Sequence, residues 1–249
     1  MTRDYQYNYS QLKPSVFDTD LRRKKAATIL AVCRDFLRTE QLDGLKLLDV
    51  GSSSGIIDDY LADYFGEVSG IDIDEPAMAF AREQFDKPNL SFNQGDAMQL
   101  HAADNSYDVV LCCHVYEHVP DARLLFKEIY RVLKPGGFCY FSGNNRVMWM
   151  EPHYRLPLLS LLPRPLAHLY MRAFGKGRYY HEQHLSYGAL KKIVRDFKLV
   201  DYSARIIAEP EKFAASYMLQ TNTLKWRLAN WVANYAKWAT PHIWILAKE

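Results

Sequence analysis

Apolar positions along the first 145 residues follow two alternating rhythms. Residues 18–40 are apolar at helical spacing, with Asp18 or Thr19 placed to cap the helix start. Lys46-Leu-Leu-Asp-Val-Gly51 is a short apolar run ending in glycine, which predicts a buried strand. A helix is expected at 56–65, a second strand at 67–74, and a second helix at 75–85 with Pro76 in its first turn. A third strand follows at 90–96. The fourth, at 107–115, is apolar throughout, as where both sheet faces are covered. A helix at 121–133 stops at Lys134-Pro135-Gly136-Gly137, and a fifth strand spans 138–144. Strands alternating with helices predict a parallel α/β sheet with right-handed crossovers.

After Asn144 the rhythm breaks. Residues 146–182 carry Pro152, Pro157, Pro163 and Pro165 among short apolar pieces, which reads as an insertion of short helices and loops at the sheet edge. The pattern resumes with a helix at 186–197, which Ser186 can cap, and a strand at 198–207. A helix at 223–239 and a strand at 242–248 close the chain. Leu224, Leu228, Trp231, Tyr235 and Trp238 form a stripe at 4, 3, 4, 3 spacing. The stripe is expected to pack on the sheet; a helix lying in a membrane interface is the other reading. The expected organisation is one domain over 1–249. Residues 1–43 would be an N-terminal helical cap element, 44–145 the cofactor-binding core, 146–185 a cap insertion, and 186–249 the rest of the sheet.

Composition adds a division to this picture. Net charge is +2, yet residues 1–145 hold 15 Lys+Arg against 22 Asp+Glu, a balance of −7. Residues 146–249 hold 16 against 7, a balance of +9, and contain all five tryptophans. The basic residues are scattered rather than clustered, which argues against nucleic acid as a partner. Four cysteines, two of them adjacent, do not make a disulfide scaffold. No apolar stretch reaches the ~20 residues of a membrane span, and the first ten residues lack an apolar signal core. A cytoplasmic location is the expectation.

The segment Asp49-Val-Gly51-Ser52-Ser53-Ser54-Gly55 joins a strand to a helix through small residues. Small side chains let a ligand approach the backbone, and in a doubly wound sheet this first loop borders the cofactor crevice. A dinucleotide fingerprint starting at Gly51 would need glycine at positions occupied by Ser53 and Ile56, and no Gly-Lys-Ser/Thr phosphate loop is present. The segment resembles motif I of class I S-adenosylmethionine-dependent methyltransferases, Asp-x-Gly-x-Gly-x-Gly, with Ser53 in place of the middle glycine. Further blocks agree in order: Gly70-Ile-Asp72-Ile-Asp74, Gly95-Asp96-Ala97, Tyr107-Asp-Val-Val110 with His114, Glu117-His118-Val119, and Val132-Leu-Lys-Pro-Gly-Gly137.

The resemblance covers residues 40–145 and implies a Rossmann-like, seven-stranded, mostly parallel sheet flanked by helices, with the last strand antiparallel and a helical cap insertion after strand five. It implies S-adenosyl-L-methionine as cofactor. Asp49, Gly51, Ser52, Ser53, Gly55, Asp72, Ile73, Asp96, Ala97 and His114 would then be the cofactor-binding residues. Asp72 would accept from the ribose hydroxyls, Ile73 would cover the adenine and Asp96 would accept from its amine, with Ala97 alongside. Loop N–H groups would meet the cofactor's carboxylate. The acidic first part suits a sulfonium cation.

In such enzymes the insertion and N-terminal helix build the acceptor pocket. The expected acceptor is a small, apolar or aromatic molecule methylated on O, N or C. His153 and His184 are the candidate bases, with His114 as an alternative. His181 and His184 are an i, i+3 pair without a third ligand nearby in sequence, so no metal site is expected. Contact with a membrane surface is a further reading of the basic, tryptophan-rich part; oligomeric state is not legible. A non-catalytic methyltransferase-like binding module is the rival reading, resting on Ser53. A nicotinamide-dependent oxidoreductase is a third, opposed by the failed fingerprint.

Overall fold

Alternating side chains on the central strands bury two opposite faces of one sheet, and helices cover both. In the computed structural model, which describes residues 5–249, β1 (Leu42–Val50) sends Leu47 to one core and Leu48 to the other. Strand β4 (Tyr107–Cys113) does the same, with Val109 and Leu111 on one face and Val110 and Cys112 on the other. This period of two is what a pleated strand imposes. With β2 (Phe65–Asp72), β3 (Leu90–Gln94), β5 (Leu133–Gly143), β8 (Lys198–Asp201) and β9 (His242–Ala247), they form a seven-stranded sheet in the order β3-β2-β1-β4-β5-β9-β8. Every pairing is parallel except those of β9, which runs antiparallel to both neighbours. The expected fold class is therefore the observed one.

Helices α2 (Thr19–Leu37) and α3 (Ile56–Leu61) cover one face, where Ala26, Ile29, Val32 and Cys33 meet Leu47, Leu111 and Ile245. Helices α5 (Ala122–Val132) and α7 (Tyr187–Ile193) cover the other, where Phe126, Ile129 and Leu190 meet Phe141 and Trp244. The short α1 spans Tyr9–Leu12, and α4 (Glu75–Gln84) packs Met78 and Ala81 on Phe92. Asp18 caps α2 by accepting from the Leu21 N–H at 3.0 Å, and Ser186 caps α7. The insertion holds a two-stranded hairpin, β6 (Met150–Glu151) with β7 (Leu156–Pro157), and α6 (Arg164–Ala173). Leu156, Leu159, Ala167, Met171 and Tyr180 give it a small core of its own.

Two expectations are corrected. The strand foreseen at 198–207 stops at Asp201, whose Oδ1 accepts from the Ser203 N–H at 2.9 Å and starts α8 (Ser203–Ala208). Apolar residues 206 and 207 suit a helix face as well as a strand, and the turn chemistry of Asp201 decides between them. Helix α9 (Leu224–Tyr235) turns its apolar stripe outward: Leu224, Leu228, Trp231 and Tyr235 are exposed, and Trp238 beyond it is too. Ala233, on the opposite side, is the buried residue of this helix. No helix among the described residues is long and apolar enough to cross a membrane.

Candidate active site

The chain leaves β1 toward β2 and later returns to β4 on the other side of β1, so the C-terminal ends of β1 and β4 diverge into a crevice. A cavity of about 540 Å³ fills it. Gly51, Ser53, Asp72, Ile73, Gly95, Ala97 and His114 line it, and Gly55 does not.

The loop after β1 is built from strained positions. Gly51 has φ 88°, and a Cβ added there would lie 2.3 Å from Val115 Cγ2. Gly55 has φ 71°, and a Cβ there would meet Phe92 Cζ at 2.6 Å. Ser53 takes φ 54°, a left-handed conformation that costs a non-glycine residue about 1–2 kcal/mol. Its N–H donates to Asp72 Oδ2 at 2.9 Å, which offsets that cost. The Asp74 N–H donates to Asp72 Oδ1 at 2.9 Å. These bonds aim the Asp72 carboxylate into the cavity. Burial raises its pKa to about 6, with the backbone donors pulling the other way.

Asp49 sits beneath the loop and does not line the cavity. Its Oδ1 is buried without a partner. Burial, then repulsion from Asp72, raises its pKa to about 7, and Arg22 opposes the rise. Asp58 is buried beside it with both oxygens unpartnered, its pKa pushed well up by burial. Such a loop, with two buried acids beneath and one at its edge, fits a ligand that is compact and locally cationic.

Some expectations shift. The N–H groups of Gly51 and Ser52 donate to Ile71 O, that of Ser53 to Asp72 and that of Gly55 to Ser52 O. These loop donors are therefore engaged, and a ligand carboxylate needs another partner. Arg22 and Lys25, three residues apart on α2, both line the cavity, and Arg22 feels the charges of Asp49 and Asp58. The basic run 22–25 was visible in the sequence, but which two of its four cations face inward was not. Asp96 stands outside the lining, and its Oδ1 accepts from the Met98 N–H at 2.9 Å. Gly95 and Ala97 make that wall. Ser52 is buried behind the loop, its hydroxyl 3.8 Å from Met78 sulfur.

The cavity lining also holds imidazoles. His118 and His153 line the cavity, with ring centres 4.9 Å apart. His153 Nδ1 is 2.6 Å from Glu151 Oε1. Burial works against its charge, but Glu151 and the charges of Glu182 and Glu117 leave its pKa raised. Burial lowers His118 to about 4. His184 does not line the cavity: its side chain is fully buried, with Nε2 3.3 Å from Glu151 Oε1. It sits against Glu151 and away from the cavity, a position that does not suit the base role the sequence offered it. His114, at φ 59°, approaches Glu117 Oε1 through Nδ1 at 3.3 Å. Burial opposes ionisation of Glu117, but the His114 bond and the surrounding imidazoles hold its pKa down at about 2. Glu182, unremarked in the sequence, is buried beside Tyr154, whose hydroxyl donates to it at 3.3 Å.

The fold is Rossmann-like, the arrangement seen in solved methyltransferases. Residues 48–141 match the family model described as a methyltransferase domain. The ubiquinone biosynthesis O-methyltransferase of Proteus mirabilis (strain HI4320) is 35% identical over 112 residues, 44% of this chain and 46% of that protein. The protein of that name from Azoarcus sp. (strain BH72) is 37% identical over 108 residues, 42% of this chain and 46% of its own. The matched segment thus spans less than half of these relatives. Among solved structures, a chain of the complex between the Haloferax volcanii Trm112 methyltransferase activator and a methyltransferase aligns with TM-score 0.59 and 21% identity, covering 98% of both chains. An S-adenosylmethionine-dependent methyltransferase from Mesorhizobium loti aligns with TM-score 0.52 and 19% identity, over 85% of this chain and 94% of its own. These structural likenesses speak to the fold.

Proposed function

We propose that the chain transfers the methyl group of S-adenosyl-L-methionine to a hydroxyl oxygen of a small, apolar or aromatic acceptor. The observation that carries this is one cavity lined both by Asp72 and by His118 and His153. At about 540 Å³ it matches pockets for small ligands rather than a groove for a polymer. Oxygen is favoured by the imidazole wall and by the name that the Proteus and Azoarcus relatives carry.

In this reading Asp72 accepts from the ribose hydroxyls, and Ile73 and Ala97 flank the adenine. Arg22 meets the methionyl carboxylate. Asp72, with Asp49 once it ionises, supplies the negative field that favours a sulfonium. As the acceptor oxygen bonds to the methyl carbon, the carbon–sulfur bond breaks and its electron pair returns to sulfur, giving S-adenosylhomocysteine. The hydroxyl proton leaves to solvent past the polar side of the cavity, where His118 and His153 stand. Much of the rate comes from alignment within the cavity. Titration calorimetry with S-adenosylmethionine tests the cofactor, and labelled methyl transfer to a panel of small phenols and aliphatic alcohols tests the reaction. Absence of binding in the wild type, or equal binding by Asp72→Ala, would refute the reading. A panel methylated only on nitrogen or carbon would refute the choice of oxygen.

We further propose that an anionic lipid surface receives α9. Its exposed stripe of Leu224, Leu228, Trp231 and Tyr235 is flanked by Lys225 and Arg227, and the part of the chain from residue 146 onward carries the +9 balance. Co-sedimentation with vesicles of phosphatidylcholine and phosphatidylglycerol should capture the protein, and Leu228→Ser/Trp231→Ser should lose most of that capture. Failure of the wild type to sediment, or a dimer that the double variant dissolves, would overturn this.

A further inference from the structure

We propose that His118, His153 and Glu182 form a binding site for a divalent first-row transition-metal ion at the acceptor wall. One ligand atom from each lies within 4.8 Å of the other two. Zinc-class ions hold nitrogen and oxygen ligands at about 2.0–2.2 Å, so modest side-chain rotation closes the three atoms on one ion. Two imidazoles and one carboxylate leave further coordination positions open, the donor set of a catalytic rather than a structural centre.

Three observations point to an ion rather than a self-satisfied polar cluster. Glu182 is buried, and its Oε2 has no hydrogen-bond partner; His118 Nδ1 is buried without one too. Glu117, Glu151 and Glu182 place three buried carboxylates around these rings. The neighbouring ammonium of Lys13 is directed at the His153 carbonyl, at 2.7 Å, rather than at any of them. Finally, the supporting geometry suits a metal-bound histidine: Nδ1 of His153 is held by Glu151, which leaves Nε2 as the nitrogen to bind an ion. A carboxylate behind a ligating imidazole fixes its orientation and raises its basicity. A second grouping, Glu151 with His153 and His184, is also compact, but its atoms already hydrogen-bond to one another and need no ion.

The ligands come from three separate segments: the loop after β4, the β6–β7 turn, and the stretch before α7. An ion would tie the cap to the sheet. Its open positions face the cavity, since His118 and His153 both line it. Its use in the reaction rests on the methyltransferase reading: an acceptor hydroxyl bound to the ion would release its proton to solvent more readily. Binding of the ion does not depend on that reading.

The test is metal binding by the chelator-stripped protein, followed by calorimetry with Zn²⁺ and visible absorption with Co²⁺. One ion per chain is expected. His118→Asn and Glu182→Gln should each weaken binding by more than about 100-fold. Glu151→Gln should weaken it about 10- to 100-fold without changing stoichiometry. His101→Asn, at an exposed histidine outside the cluster, should leave it unchanged. Affinity for S-adenosylhomocysteine, measured on each variant, reports that the fold is intact. Pulsed electron paramagnetic resonance of the Co²⁺-loaded wild type should show coupling to two imidazole nitrogens, which tests the ligands without any substitution. No ion bound by the wild type, no imidazole coupling, or full binding by folded His118→Asn and Glu182→Gln proteins overturns the proposal. An ion bound by a wild type that binds no S-adenosylmethionine would instead overturn the proposed function and leave the metal site standing.

Discussion

Gly51 is limited twice over, by its positive φ and by the methyl of Val115 that occupies the space of a Cβ. Gly51→Ala should therefore lower stability by about 2 kcal/mol or more and weaken the cofactor. Val115→Ala in the same chain should return part of the loss, as a non-additive pair. Thermal unfolding of the two single variants and the double variant measures this, and strict additivity would count against a steric origin. Arg22 offers a second residue-scale expectation. Arg22→Gln should weaken S-adenosylmethionine about 10- to 100-fold, the worth of a hydrogen bond to a charged group. The same change should matter much less for an analogue lacking the carboxylate. Equal losses for both ligands would place Arg22 elsewhere in the site. Glycine constraints of this kind are partly visible in sequence, because a strand followed by small residues admits few structures. The inward turn of Arg22 is not, because four consecutive cations look alike until α2 is docked.

At the level of elements, α9 separates pattern from packing. Its 4, 3, 4, 3 stripe has the spacing of a core helix, yet the structure turns it to solvent and buries Ala233 instead. Trp231→Ala should then change the stability of the free protein by less than about 0.5 kcal/mol. Trp244→Ala, which removes a fully buried side chain of β9, should cost about 3–5 kcal/mol. Chemical denaturation of the two variants decides whether α9 stands as described. Spacing alone could not, since a periodic apolar face says that something covers it and not what. The strand elements were legible for the opposite reason. Strand β4 is apolar on both faces, and only the centre of a covered parallel sheet accommodates that. Where a polar side chain intervened, as Asp201 does, the element ended early.

Across the whole molecule, buried acids set a pH dependence. Burial raises Asp72 to about 6 and Asp49 to about 7, both above their ordinary value. The folded chain holds these protons more tightly than the unfolded chain does, so these groups make the free protein less stable as pH rises from about 4 to about 7. A ribose hydroxyl or a sulfonium favours the ionised forms. Affinity for S-adenosylmethionine should thus rise with pH from about 5 to 7.5, with proton release near pH 6. Calorimetry in two buffers of different ionisation enthalpy measures that release, and Asp72→Asn should flatten the profile. An affinity that falls over the same interval would contradict the assignment.

The sequence by itself determined the order of strands and helices as far as Gly143, the loop from Gly51 to Gly55, and Asp72 at the end of the second strand. These follow from local patterning within about 25 residues, where chain connectivity leaves little freedom. Tertiary structure alone decided which distant residues line the cavity. Residues far apart in the chain, such as Tyr9, Arg22, His118, His153 and Met218, meet there only because the sheet, cap and terminal segments fold over one crevice. It also decided that Asp96 and His184 stand off the cavity, and that Glu182 lies buried beside Tyr154 near His118 and His153. Which way a side chain turns is fixed by what packs behind it, and that neighbour is rarely adjacent in sequence.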